Sequence, residues 1–201
     1  MEHYFTNNDN LKSEIRVLKY NYGNTSFSFF SDNGVFSKDR IDYGSSLLVD
    51  TFIKNKPSTI NNILDVGCGY GFIGIVLSKI LGVQATLIDI NKRAVHLTER
   101  NIKENGVKAK SLVSDVYDSI TDKYDCIITN PPIRAGKQVV LKILEDASNY
   151  LNETGELWYV IRKDQGVKSV IKYLENKYNN EIIEKSKGYF VIKAKKRWQI
   201  L

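Results

Sequence analysis

The chain has 201 residues, 42% hydrophobic and 26% charged, the composition of one globular domain that buries about 70% of its unfolded surface. No apolar run reaches the ~18 residues of a membrane span, Met1-Glu2-His3-Tyr4 does not begin a secretion signal, and His3 and His96 are too separated to anchor a metal cluster. A net charge of +6 favours a polyanionic partner, and two unpaired cysteines, Cys68 and Cys126, fit a reduced cytoplasm.

In chain order, residues 1–20 are polar, with Asn7-Asn8-Asp9-Asn10, and read as a loose leader. Residues 21–58 form an N-terminal extension. Within it Ser26-Phe27-Ser28-Phe29 alternates with period two, and Asp32-Asn33-Gly34 is a turn signal before Val35-Phe36-Ser37, so a β-hairpin is expected there. Residues 43–52 carry Leu47, Leu48 and Phe52 at helical spacing and are expected as a wall or lid over a ligand. The core, 59–201, alternates strand and helix patterns. Strands are expected at 63–66, 85–88, 111–113, 126–129 and 157–161. Helices are expected at 72–81, 92–105, 116–121, 139–151 and 167–177. Runs at 182–184 and 189–192, joined by Lys187-Gly188, read as an antiparallel hairpin at the sheet edge. The fold expected is α/β: a Rossmann-like, seven-stranded, mostly parallel sheet with helices on both faces, with the whole chain as one domain.

The stretch Asp65-Val66-Gly67-Cys68-Gly69-Tyr70-Gly71 ends a buried strand and opens a helix, the unit that brings backbone N–H groups and a helix N-terminus to a ligand. A dinucleotide fingerprint is Gly-x-Gly-x-x-Gly, but here the third glycine comes one residue early, at Gly71, and Phe72 fills its place. Asp65 would repel a pyrophosphate and suit a cation. Asp89 follows Gly71 by 18 residues, where an acid at the end of the neighbouring strand can grip a ribose diol. A nucleoside with positive charge and no phosphate is S-adenosylmethionine. Asp115 closes the third strand, where it can accept from the adenine amine or simply cap the next helix.

After the fourth strand comes Asn130-Pro131-Pro132-Ile133-Arg134. Prolines fix the backbone and carry no N–H, so their carbonyls can face a ligand, and ligands of parallel sheets sit beyond the carboxyl ends of the strands. Asn130 and the Pro131 carbonyl therefore arrive where Gly67–Gly71 would hold the cofactor. Arg134 and Lys137 beside this loop, and Arg162 and Lys163 after the fifth strand, can track phosphates. The C-terminal lysines equally suit a solvated edge strand.

These motifs resemble class I S-adenosylmethionine-dependent methyltransferases that modify amines, and Phe30, Gly34-Val35-Phe36-Ser37 and Asp42-Tyr43-Gly44-Ser45 narrow the likeness. More closely, they resemble the small-subunit ribosomal RNA guanine-N2 methyltransferases of the RsmC type, from about residue 27 to 195. Longer members of that family carry a degenerate methyltransferase-like domain ahead of the active one. The resemblance implies a cofactor held by Asp65, Gly67, Cys68, Gly69, Gly71, Asp89 with Ile90, Asp115 with Val116, and Asn130. It implies catalysis by Asn130 and Pro131, and substrate contacts from Pro132, Ile133, Arg134, Lys137, Arg162 and Lys163. The partner implied is ribosomal RNA or the small ribosomal subunit, with no metal and no membrane. Ile133 stands where amine methyltransferases commonly carry an aromatic residue.

An exocyclic amine is a poor nucleophile because its lone pair is delocalised. Two acceptors, the Asn130 oxygen and the Pro131 carbonyl, would hold its hydrogens and aim the lone pair, and such orientation can supply ~7–11 kcal/mol of a barrier. Glutamine side chains of proteins pose the same problem and are a rival substrate. A cofactor- or RNA-binding module without catalysis is a second rival, and a dehydrogenase is disfavoured by Asp65 and Phe72.

Overall fold

The computed structural model describes residues 11–197, so the first half of the expected leader, with Asn7–Asn10 and His3, lies outside the described residues. The main sheet has seven strands: β3 (Asn62–Val66), β4 (Gln84–Asp89), β5 (Ala109–Val113), β6 (Tyr124–Thr129), β7 (Leu151–Arg162), β8 (Tyr178–Ser186) and β9 (Tyr189–Lys196). Their order is β5-β4-β3-β6-β7-β9-β8. All neighbours are parallel except the β7–β9 and β9–β8 pairs. The central strands β3 and β6 are buried almost throughout because both faces are covered. The order in which strands are added switches sides between the parallel neighbours β3 and β6, which leaves a crevice at their carboxyl ends.

Helix α1 (Tyr43–Asn55), α2 (Phe72–Leu81) and α3 (Lys92–Asn105) pack with the aromatic residues Phe27, Phe29 and Phe52 on one face of the sheet. Helix α4 (Lys137–Asp146) and α5 (Val167–Leu174) cover the other face with Tyr117, Tyr159 and Tyr178. The α3 boundaries match the sequence because the caps are local. Asn91 accepts from the N–H groups of Arg93 and Ala94, and Gly106 takes the left-handed conformation at φ 59°.

The hairpin is displaced from its expected place. It pairs β1 (Arg16–Tyr22) with β2 (Thr25–Ser31) across Gly23-Asn24, so part of the expected leader is a strand and 35–37 is not. Leu18, Tyr20 and Tyr22 face inward while Val17, Lys19 and Asn21 face out. The Asp32 carboxylate instead accepts from the Ser13 hydroxyl and the N–H groups of Glu14 and Asn33, which pins residues 13 and 14. Two asparagines of α3 dock the hairpin. Asn101 accepts from Phe30 N–H at 2.7 Å and donates to Phe30 C=O at 2.9 Å. Asn105 does the same for Ser28 at 3.2 and 2.9 Å, so side-chain amides take the place of a neighbouring strand.

The helix expected at 116–121 is absent. Ser114 Oγ donates to Val116 C=O and accepts from Ser119 N–H, and Val116 turns to φ 50°, so a turn forms where a helix would need those groups. The helix expected at 139–151 starts earlier and ends at Asp146, because Leu151 already opens the long strand β7. Among the described residues no helix is long and apolar enough to cross a membrane.

Candidate active site at the carboxyl ends of the central strands

A cavity of about 320 Å³ opens beyond β3, β4 and β6. It is lined by Gly67 and Gly69 from the glycine loop, Asp89 and Ile90 after β4, Ser114, Asp115 and Val116 after β5, and Asn130, Pro131 and Pro132 after β6. Val35 and Phe36 close it from the segment between β2 and α1, and Ala135, Val139 and Ile143 close it from the α4 side.

The loop's own geometry decides what it can bind. Gly67 and Cys68 both donate their N–H groups to Ile88 C=O at 2.9 Å, Gly69 donates to Asp89 Oδ2 at 2.9 Å, and Gly71 donates to Cys68 C=O at 2.9 Å. The expectation that this loop offers bare N–H groups is therefore corrected for these four: they are spent inside the protein, and no cradle of free donors meets a phosphate. The loop contributes shape instead. A Cβ built on Gly69, at φ 58°, meets no atom within 4 Å, and one on Gly67 meets only Pro132 Cδ at 3.7 Å, so both would project into space a ligand needs. Helix α3 braces the loop from behind, as Thr98 Oγ1 donates to Gly69 C=O at 2.9 Å and Asn101 Nδ2 to Tyr70 C=O at 2.8 Å.

Asp89 faces the cavity. Its oxygens accept from Gly69 and Asn91 N–H, both at 2.9 Å, which fixes the carboxylate while leaving lone pairs for two hydroxyls. Burial pushes its carboxyl up to about 6, against those hydrogen bonds. Asp65, expected to meet a cationic ligand, lies beneath the loop at 1% exposure and does not line the cavity. Its Oδ2 accepts from Gly74 N–H in the first turn of α2 at 2.8 Å, its Oδ1 has no partner, and burial pushes the carboxyl up to about 7. Cys68 and Gly71 also sit behind the cavity surface. Cys68 is buried against Thr98, and Gly71, at φ 90°, begins α2.

On the opposite wall, Thr129 Oγ1 donates to Val66 C=O at 2.7 Å and ties the end of β6 to the start of the glycine loop. Asn130 Nδ2 donates to Asp42 Oδ2 at 3.0 Å and Ser45 Oγ at 2.8 Å. A carboxylate only accepts, so this contact sets which way the amide points and leaves the Asn130 oxygen for a ligand. Asp42 also caps α1 through Ser45 N–H at 2.8 Å. Pro132 C=O accepts from Ala135 N–H at 2.9 Å, closing a tight turn. That turn packs Ile133 against the α4 core and away from the cavity, where Ala135 and Val139 appear instead. Arg134 and Lys137 stand exposed beside the loop, and Arg162 and Lys163 at the end of β7.

Asp42, Ser45, Thr98 and Asn101 were not singled out as site residues from sequence. Asp42 could have been read as a helix cap from its place before an apolar helical run, but its contact with Asn130 spans 88 residues and has no local signal.

With its loop donors committed and acids on its floor, this crevice belongs to a class I methyltransferase, and its cofactor is S-adenosylmethionine. The methyltransferase small-domain family matches residues 26–193, and the chain belongs to it. It is 42% identical over 200 residues to YbxB of Bacillus subtilis, covering 97% of this chain and 98% of that one. It is 42% identical over 113 residues to the ribosomal RNA small subunit methyltransferase C of Serratia proteamaculans, covering 56% of this chain but 32% of that protein. Among solved structures, the 16S ribosomal RNA N2-guanine methyltransferase RsmC of Thermus thermophilus, in complex with AdoMet and guanosine, superposes with a TM-score of 0.82 at 25% identity, over 93% of this chain and 52% of that one. The chain thus spans about a third to a half of the length of these ribosomal RNA enzymes.

Proposed function

We propose that this chain methylates the exocyclic N2 of a guanine in small-subunit ribosomal RNA, acting in the cytoplasm. The observation that carries the reading is Asn130, whose amide hydrogens are taken by Asp42 and Ser45 so that its oxygen is an acceptor at the cavity wall. The names of the relatives supply the substrate class: an N2-guanine enzyme of the same fold is known with guanosine bound.

S-adenosylmethionine supplies an electrophilic methyl group on a sulfonium. In this reading Asp89 would accept from the ribose hydroxyls and Asp115 from the adenine amine, with Ile90 and Val116 lining the same part of the cavity. Gly67 and Gly69 give room to the methionine part, while Asp65, Cys68 and Gly71 shape the loop from behind. Asn130 and the Pro131 carbonyl accept the two amine hydrogens of the target base, which localises the nitrogen lone pair. Pro132 and the Ile133 turn fix that loop, and Arg134, Lys137, Arg162 and Lys163 meet phosphates. The methylated amine is acidic enough to lose its proton to water, so no histidine or cysteine base is needed. A paired guanine has to leave its stack, which costs a few kcal/mol.

The test uses methyl-labelled S-adenosylmethionine with unmodified small subunits, their naked RNA and total protein. Digestion to nucleosides is expected to place the label in N2-methylguanosine. Label in glutamine would overturn the substrate class, and no label with the cofactor bound would leave a binding module.

A further inference from the structure

Beside Asn130 the chain builds an exposed aromatic and cationic cluster, of which the reading above uses only Arg162. Tyr43 follows Asp42 directly and is 37% exposed. Its ring lies 5.6 Å from that of Tyr189, centroid to centroid, and its hydroxyl shares a 2.8 Å hydrogen bond with Ser186 Oγ. Lys187 Nζ sits 4.7 Å over the Tyr43 ring, and Arg162 Cζ 5.5 Å over the Tyr189 ring. Separate parts of the chain contribute: Tyr43 from the start of α1, Arg162 from the end of β7, and Ser186, Lys187 and Tyr189 from the β8–β9 hairpin.

The assembly is specific. Gly44 permits it, because a Cβ there would fall 2.7 Å from Tyr189 Cε1. Lys187 and Gly188 both take positive φ, 47° and 80°, in the turn that carries the lysine over the Tyr43 ring. Arg162 is three residues past Tyr159, the partner of Thr129, so the cluster continues the rim on which Asn130 stands. Asp164 partly offsets the charge through a 3.1 Å ion pair with Arg162, both side chains about half exposed. If the rings served only to fix the β8–β9 hairpin to α1, burial would be expected, yet Tyr43 and Lys187 remain open to solvent.

We propose that this cluster is a stacking platform for the RNA strand next to the target base. It rests on the ribosomal RNA reading above. A nucleotide neighbouring an extruded base loses its own stacking partner, and an aromatic face flanked by cations replaces that partner without regard to sequence. A base covers the Tyr43 ring, Lys187 moves from the ring to a phosphate, and Arg162 meets the next phosphate. An acidic peptide would use the cations and leave the ring faces idle, so the aromatic pair favours RNA.

The test is fluorescence anisotropy with a labelled, guanine-containing, single-stranded RNA decamer and S-adenosylhomocysteine present. Tyr43→Leu is expected to weaken binding about tenfold, the loss of one base stack. Tyr43→Phe, which loses only the Ser186 hydrogen bond, is expected to bind as wild type. Lys187→Gln is expected to lower the slope of log affinity against log salt by about 0.7, one phosphate on a single strand. Cofactor affinity by calorimetry stays unchanged in all three. Wild-type RNA binding that Tyr43→Leu and Lys187→Gln leave intact would overturn the platform and spare the RNA reading. Equal losses in Tyr43→Phe and Tyr43→Leu would overturn it in favour of a structural hydrogen bond. No wild-type RNA binding, or equal competition by an acidic peptide, would overturn both.

Discussion

Asn130 donates its side-chain amide to the carboxylate of Asp42 at 3.0 Å, across 88 residues of chain. Asp42 also accepts from Ser45 N–H, so one carboxylate caps α1 and aims the Asn130 amide. The N-terminal extension in this way positions a side chain of the cavity wall. An amide held from behind needs no reorganisation when charge shifts on the substrate, which is where enzymes gain most of their electrostatic stabilisation.

Asp42→Ala is therefore expected to slow methyl transfer by at least tenfold in single-turnover assays while leaving the S-adenosylmethionine dissociation constant within about twofold. It also removes a helix cap worth about 1 kcal/mol, which urea denaturation would register separately. Ser45→Ala should slow transfer less, because Asp42 still orients the amide.

Cofactor affinity should depend on Asp89 and on pH. Burial raises its carboxyl to about 6, and only the anion can accept from two hydroxyls. Affinity is expected to be flat above about pH 7 and to fall below about pH 6, approaching tenfold per pH unit, as measured by calorimetry. Asp89→Asn should bind weakly and lose this pH dependence. A wild-type affinity that rises on acidification would contradict the role.

Asn101 holds three backbone groups at once: Phe30 N–H, Phe30 C=O and Tyr70 C=O. Asn101→Leu keeps the size but strands these groups, at about 1–3 kcal/mol for a buried polar group left unpaired. A lower urea midpoint is expected, together with weaker cofactor binding, because Tyr70 belongs to the glycine loop. Asn105→Leu should lower the midpoint and spare the cofactor, since its contacts reach Ser28 but not the loop.

The core and the glycine loop were legible because their signals are local: buried strand runs, glycines with positive φ, and the caps of α3. The hairpin lies earlier than Asp32-Asn33-Gly34 suggests, because Gly23-Asn24 joins the paired strands and the Asp32 side chain is taken by Ser13 and Glu14. The turn after β5 was read as a helix since Ser114 diverts the backbone through its hydroxyl. Spacing brought Asp65 to the loop but could not say which side its carboxyl takes, and Gly74 claims it from behind. Ile133 turns into the α4 core for the same reason, that a side chain's direction after two prolines is set by tertiary packing.

The most direct test of the account is the single-turnover rate of Asn130→Ala on small-subunit RNA, with cofactor affinity measured in parallel. The account predicts a loss of about 10²–10³ in rate, the effect of removing one oriented hydrogen-bonding group at a reacting centre, with the cofactor still bound. Near-normal transfer by this variant would contradict it.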